Sequence, residues 1–159
     1  MGRDVKWKMY FHDNCRCADL INGVGCGGVQ IVKDTDLQEV DTTAKERSRD
    51  ILRKVAFGTN FMIVGIENQE EKDYGLPLRT LFYDVADYKI NVIDIRQFEN
   101  TDVFKTDVKY VFDFIRCSDD RNKLLELVEG NQYFHEMEDD ALEVVTTYTK
   151  SKELVKAKE

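Results

Sequence analysis

The sequence predicts an α/β protein, a mixed sheet flanked by helices with a helical C-terminal part. Three observations predict it. Two β-rich runs, Arg49 to Ala56 and Phe61 to Glu67, flank the tight-turn sequence Phe57-Gly58-Thr59-Asn60. A helix-spaced run and a third β-rich run then follow in order, as in a right-handed parallel crossover. Beyond about residue 96 the apolar stripes have helical spacing. With 159 residues, one domain is the default. Within it, about 1–96 reads as the α/β core and about 97–159 as the helical part.

Each element has its own signal. Trp7, Tyr10 and Phe11 read as an N-terminal arm packed on the core in preference to a base-stacking cluster. Asp13 to Val24 reads as a short helix that Asn22-Gly23 and Gly25 end. Gly27-Gly28 turns the chain into a short apolar strand, Val29 to Val32, and Asp34 to Asp36 is a turn. Phe61 to Glu67, almost continuously apolar, reads as a central strand covered on both faces. Tyr74, Leu78, Leu81, Phe82 and Val85 form the crossover helix, with Pro77 in its first turn, and Tyr88 to Ile95 is the next strand. Phe104, Val108, Val111, Phe112 and Ile115 form a stripe capped by Asn100 or Thr101. Ser118 is positioned to cap a helix through Leu124, Leu125 and Val128 that stops at Gly130. Met137, Ala141, Val144, Val145, Tyr148 and Val155 make the last stripe.

Composition narrows the function classes. The net charge of −8 argues against a surface that grips nucleic acid everywhere. One local basic patch remains: Lys45, Arg47, Arg49, Arg53 and Lys54. No apolar run has the length of a membrane span and the N-terminus lacks an apolar signal core. The expectation is a cytoplasmic protein with no membrane partner. The four cysteines are expected as free thiols. His12, Cys15 and Cys17 make a weak zinc set, because Cys15-Arg16-Cys17 lacks the spacing of structural zinc sites. The glycine-rich stretch Gly23 to Gly28 follows a helix and precedes a strand, the reverse of a phosphate-binding loop.

The hairpin carries the chemistry. With Gly58 and Thr59 as its two loop residues, paired residue numbers sum to 117, and Asp50 sits opposite Glu67. Directly paired residues have Cβ atoms about 4.5–5.5 Å apart. Two carboxylates at that distance repel unless a cation lies between them. Mg²⁺, which takes one or two carboxylates plus water and phosphate oxygens, suits the place. Gln69 falls on the face of Glu67, where it can orient a water or a phosphate oxygen. A three-residue loop would shift the pairing by one. Two acids at strand ends would also read this way with no metal at all.

The wider context is more specific. Ser48 to Val55, the turn, and Phe61 to Gln69 resemble the core of the PD-(D/E)XK nuclease superfamily. More closely they resemble the recombination-promoting nuclease / putative transposase group, in which glutamine replaces the final lysine. Cys17-Ala-Asp-Leu-Ile-Asn-Gly23 resembles the opening helix of those proteins, and Asp73 to Arg79 the helix after the E-x-Q strand. Tyr88 to Arg96 and Asn100 to Asp107 resemble their C-terminal half. The resemblance implies a restriction-endonuclease-like fold and Mg²⁺- or Mn²⁺-dependent hydrolysis of DNA. It implies Asp50 and Glu67 as metal ligands, with Gln69 at the lysine position. Asp19 is the first-motif acid, with Asp13 as the alternative. A homodimer fits, since two single-site subunits would cut both strands. Those proteins usually carry a long segment where Phe82 to Ala86 here runs straight into Asp87-Tyr88-Lys89. The chain therefore reads as internally shortened, and the rival expectation is an inactive remnant that binds a protein partner.

Overall fold

A computed structural model of the chain describes residues 3–40, 51–57, 60–66 and 94–149. Among them are five α-helices and a three-stranded antiparallel sheet. The mixed α and β character expected from the sequence therefore holds.

Helix α1, Arg3–Tyr10, places Trp7, Tyr10 and Phe11 in the core. Their rings meet edge-on, at 4.7 Å for Trp7–Phe11 and 4.9 Å for Tyr10–Phe11. Helix α2, Asn14–Leu20, begins at Asp13, whose carboxylate accepts the Arg16 N–H at 2.9 Å. That is the ordinary work of an N-cap aspartate. The helix widens into a π-turn, Ile21–Gly25. Gly27 and Gly28 then take left-handed φ values of 62° and 88°, so the expected turn is present.

The strand expected at Val29 to Val32 is absent, and Asn22 explains why. Its amide oxygen accepts the N–H of Ile31 at 3.0 Å and of Val32 at 2.8 Å. Its amide nitrogen donates to the Val32 carbonyl at 2.8 Å. One buried side chain thus satisfies backbone groups that a neighbouring strand would have paired.

A 3-10 turn, Asp34–Asp36, leads into β1, Leu37–Glu39. Strands β2, Ile51–Phe57, and β3, Asn60–Ile66, form the expected hairpin. The sheet order is β1-β2-β3, so among the described strands β2 is central. The apolar run of β3 reads like a strand covered on both faces, yet Gly65 within it is exposed. The sequence hides β1, because three residues are too few to show a period. The expected crossover helix lies outside the described residues, as does most of the strand at Tyr88 to Ile95. Of that strand only Asp94 and Ile95 are described, and they open a 3-10 turn, Ile95–Gln97.

Helix α3, Val108–Cys117, starts later than an Asn100 or Thr101 cap requires. Residues Thr101–Val103 make a 3-10 turn and Phe104 is extended. The Lys105 and Thr106 N–H groups are bound by Asp19, which keeps this stretch out of the helix. All five residues of the predicted stripe are still buried. Helix α4, Arg121–Glu129, is capped by Asp120, which accepts the N–H of Asn122 at 3.0 Å and of Lys123 at 3.2 Å. Ser118, expected in that role, instead donates to the Ile115 carbonyl at 2.7 Å and closes α3. Gly130 ends α4 as expected, but Leu125 is exposed and Leu127 packs inward with Leu124 and Val128. Helix α5, Asp139–Thr149, buries Ala141, Val144 and Val145, with Met137 just before it.

Two apolar clusters meet at α2. Cys17, Ala18 and Ile21 pack with Val32, Leu37 and Val55 on the sheet side. Leu20 joins Trp7, Tyr10, Phe11 and Ile51 to the buried faces of α3 and α5 on the other. Among the described residues no helix is long and apolar enough to cross a membrane.

Candidate functional site

The register of the β2–β3 hairpin decides what its ends can do. Ile51 pairs with Ile66, Arg53 with Val64 and Phe57 with Asn60, an unbroken ladder. Every pair sums to 117, so the connection is the expected two-residue loop at positions 58–59. The described ladder stops at Ile51 and Ile66. Asp50, Glu67 and Gln69 lie just beyond it, outside the described residues, as do Lys45, Arg47 and Arg49.

Side chains alternate along β2: Ile51, Arg53 and Val55 are buried, whereas Leu52, Lys54 and Ala56 are half-buried. Arg53 therefore does not belong to a surface basic patch. Its guanidinium donates to the His12 carbonyl at 3.2 Å and lies 3.7 Å from the Glu39 carboxylate. Glu39 is its direct partner across the β1–β2 pair.

Asp19 is buried in α2 and fully engaged. Its Oδ2 accepts the Lys105 N–H at 2.8 Å, the Thr106 N–H at 2.6 Å and the Thr106 hydroxyl at 2.7 Å. Its Oδ1 accepts the Lys105 N–H at 2.9 Å. Asp13, the alternative, is the exposed cap of α2. The structure thus gives both acids a part in shaping the chain.

The zinc set does not assemble. His12 Nε2 is 3.5 Å from Glu39, the exposed Cys15 thiol donates to Asp34, and Cys17 points into the sheet-side cluster. Among the described residues no three histidine, cysteine or acidic side chains converge as a metal site would need. All four cysteines are free, as expected. Burial pushes the Cys17 thiol up to about 11, with the nearby Arg53 charge working the other way.

An ionic knot surrounds the buried Arg16, running from the half-buried Asp107 out to the exposed Glu138. Arg16 lies over the Tyr10 ring, 4.3 Å from its centroid. It donates to Asp107 at 2.8 Å, to Glu138 at 2.6 Å, and to Asp140. The Tyr133 hydroxyl donates to the other oxygen of Asp107 at 3.2 Å. Burial works against the Arg16 charge, but the hydrogen bonds to Asp140 and Asp107 outweigh it, so the guanidinium is held more firmly protonated than usual. No local signal betrays this knot, since its acids are far away in sequence.

Comparison of the chain with protein-family models, with characterised proteins and with solved structures finds no match.

Proposed function

We propose that this chain is a divalent-metal-dependent DNA endonuclease of the PD-(D/E)XK kind, with a restriction-endonuclease-like core and the recombination-promoting nuclease / putative transposase group as its nearest type. The observation that supports it most is the β2–β3 register. Continued by one residue, the same register would pair Asp50 with Glu67, the two acids that the resemblance assigns to Mg²⁺ or Mn²⁺. Two carboxylates with room for water and phosphate oxygens are a donor set that fits Mg²⁺. A metal held there would activate water and stabilise charge on the phosphate.

The chain's own residues take separate parts. Asp50 and Glu67 hold the metal. Gln69, a neutral amide, cannot serve as a base and only orients a water or a phosphate oxygen. Asp19 acts as a positioning residue through Lys105 and Thr106, which carry the chain into α3. The test is cutting of supercoiled DNA with Mg²⁺ or Mn²⁺ and its loss in EDTA. Asp50→Ala and Glu67→Ala should each abolish cutting while leaving the far-UV circular dichroism unchanged. Cutting that persists in both variants removes these acids from the mechanism.

One observation favours the rival, a non-catalytic protein-binding remnant of the same core. Asp19 and Arg53, both offered by the sequence as functional charges, are buried within the fold. That rival predicts no cutting and no Mg²⁺ affinity. A titration that detects Mg²⁺ binding in wild type and its loss in Asp50→Ala counts against it.

A further inference from the structure

We propose that Asn22-Gly23 is a deamidation site that the native fold holds shut and that unfolding opens, with a product that does not fold back. It is the only Asn-Gly pair in the chain. Two separate demands bring the pair together. Asn22 holds the loop from Cys26 to Val32. Besides its bonds to Ile31 and Val32, its amide nitrogen donates to the Gln30 side-chain oxygen at 3.3 Å. Its backbone carbonyl accepts the Cys26 N–H at 3.2 Å and the Gly28 N–H at 2.9 Å. Gly23 is required by Phe104, whose ring would overlap a β-carbon at that position. Together the two demands create a reactive sequence, because glycine puts no side chain between its own nitrogen and the preceding amide.

In the unfolded chain the Gly23 nitrogen attacks Asn22 Cγ. A C–N bond forms, the Cγ–Nδ2 bond breaks, and the Gly23 proton passes through solvent to Nδ2, which leaves as ammonia. Water then opens the cyclic imide. Cutting the new bond gives aspartate, and cutting the backbone bond gives isoaspartate. The fold blocks the first step in three ways. Residues Ile21–Gly25 are helical, and a helical side chain leans toward the N-terminus, away from the next nitrogen. Both ends of the Asn22 amide are tied to the loop, so it cannot turn into a near-attack geometry. Asn22 is also fully buried, which keeps from it the solvent that would carry the proton. Neither product fits the same place. Aspartate puts a carboxylate oxygen where Nδ2 met the Val32 carbonyl, so two acceptors face each other and a charge is buried. Isoaspartate adds a carbon to the main chain within the π-turn.

The test ages the full chain at mildly alkaline pH, in buffer and in urea. Isoaspartate and the amide-to-acid mass gain are read on the peptide that spans Asn22. The urea-unfolded chain should deamidate there about tenfold or more faster than the folded chain, which reacts only through rare openings. A smaller ratio overturns the proposal. In urea, Gly23→Ala should slow the reaction about tenfold, because its β-carbon crowds the attacking nitrogen. An unchanged rate in that variant overturns the imide route. After urea is removed, chains deamidated at Asn22 should show no cooperative urea transition, or one at a lower midpoint than unreacted chains. Asn22→Asp, prepared without ageing, should behave the same way. A wild-type midpoint in either the deamidated chain or Asn22→Asp overturns the claim that the product does not fold back.

Discussion

Cys17 shows how one buried side chain couples the fold to pH. Its thiol is pushed up to about 11 from an ordinary 9.0, mainly by burial in the sheet-side cluster. The folded state thus prefers the neutral thiol. Below about pH 9 that preference is satisfied in both states and nothing is lost. Between about pH 9 and pH 11 the unfolded chain releases a proton that the folded chain keeps, so stability falls as pH rises. The loss is on the order of 2–3 kcal/mol. Cys17→Ala should flatten this alkaline limb in urea unfolding. The Tyr10 and Tyr133 hydroxyls are also pushed up, first by burial and then by Asp107, so both proteins share their contribution and the difference isolates Cys17. Parallel alkaline slopes would refute the assignment. That Cys17 is a free thiol was legible in the sequence. That it is buried and Cys15 exposed was not, since both sit in one short helical signal with no clear apolar face. Arg53 misled for a related reason: it lies in a run of basic residues, yet strand alternation puts it inward.

At the scale of elements, α2 is the strut that joins sheet to helices. It presents Cys17, Ala18 and Ile21 to one apolar cluster and Leu20 to the other. Its two buried charges, Arg16 and Asp19, both reach the stretch between Lys105 and Asp107. Arg16 adds Glu138 and Asp140 at the start of α5. Arg16→Met keeps most of the stem packing but strands the half-buried Asp107. Breaking a buried pair by removing one partner costs about 3 kcal/mol or more. Arg16→Lys should recover only part of this, because one ammonium cannot reproduce three directed hydrogen bonds and a stack on Tyr10. Urea unfolding with an unchanged m-value checks both variants, and a loss below about 1 kcal/mol for Arg16→Met would mark the knot as ornamental. Elements with a periodic signal were legible: the hairpin and its register, the start of α2, the stripes of α3 and α5. Those decided by one distant side chain were not. Asn22 replaces a strand and Asp19 delays a helix, and neither leaves a trace within a local window. For the site, the register was legible to the residue, while the acids beyond its last described pair remain a proposal.

At the scale of the molecule, the question is whether the α/β part and the helical C-terminal part unfold as one. The sequence suggests a division near residue 96, but the packing runs across it. Trp7, Tyr10, Phe11, Leu20 and Ile51 share one cluster with Phe104, Val111, Phe112, Val144 and Val145. Among the described elements helix α1 packs chiefly on α5, so the first described helix lies against the last. Arg16 crosses the same boundary to Asp107 and Asp140. Either part alone would expose this apolar surface and leave the knot broken, so independent stability is not expected of either. The chain carries a single tryptophan, and Trp7 is buried at the α1 end of the shared cluster. Its fluorescence therefore reports the α1–α5 contact, whereas far-UV circular dichroism reports all the helices and the sheet. If the chain is one cooperative unit, urea transitions followed by the two probes should coincide in midpoint and slope. An earlier fluorescence transition would mean that α1 leaves before the rest and that the shared cluster does not bind the two parts together. Two dichroism transitions would restore the division at residue 96 as a boundary between separate units.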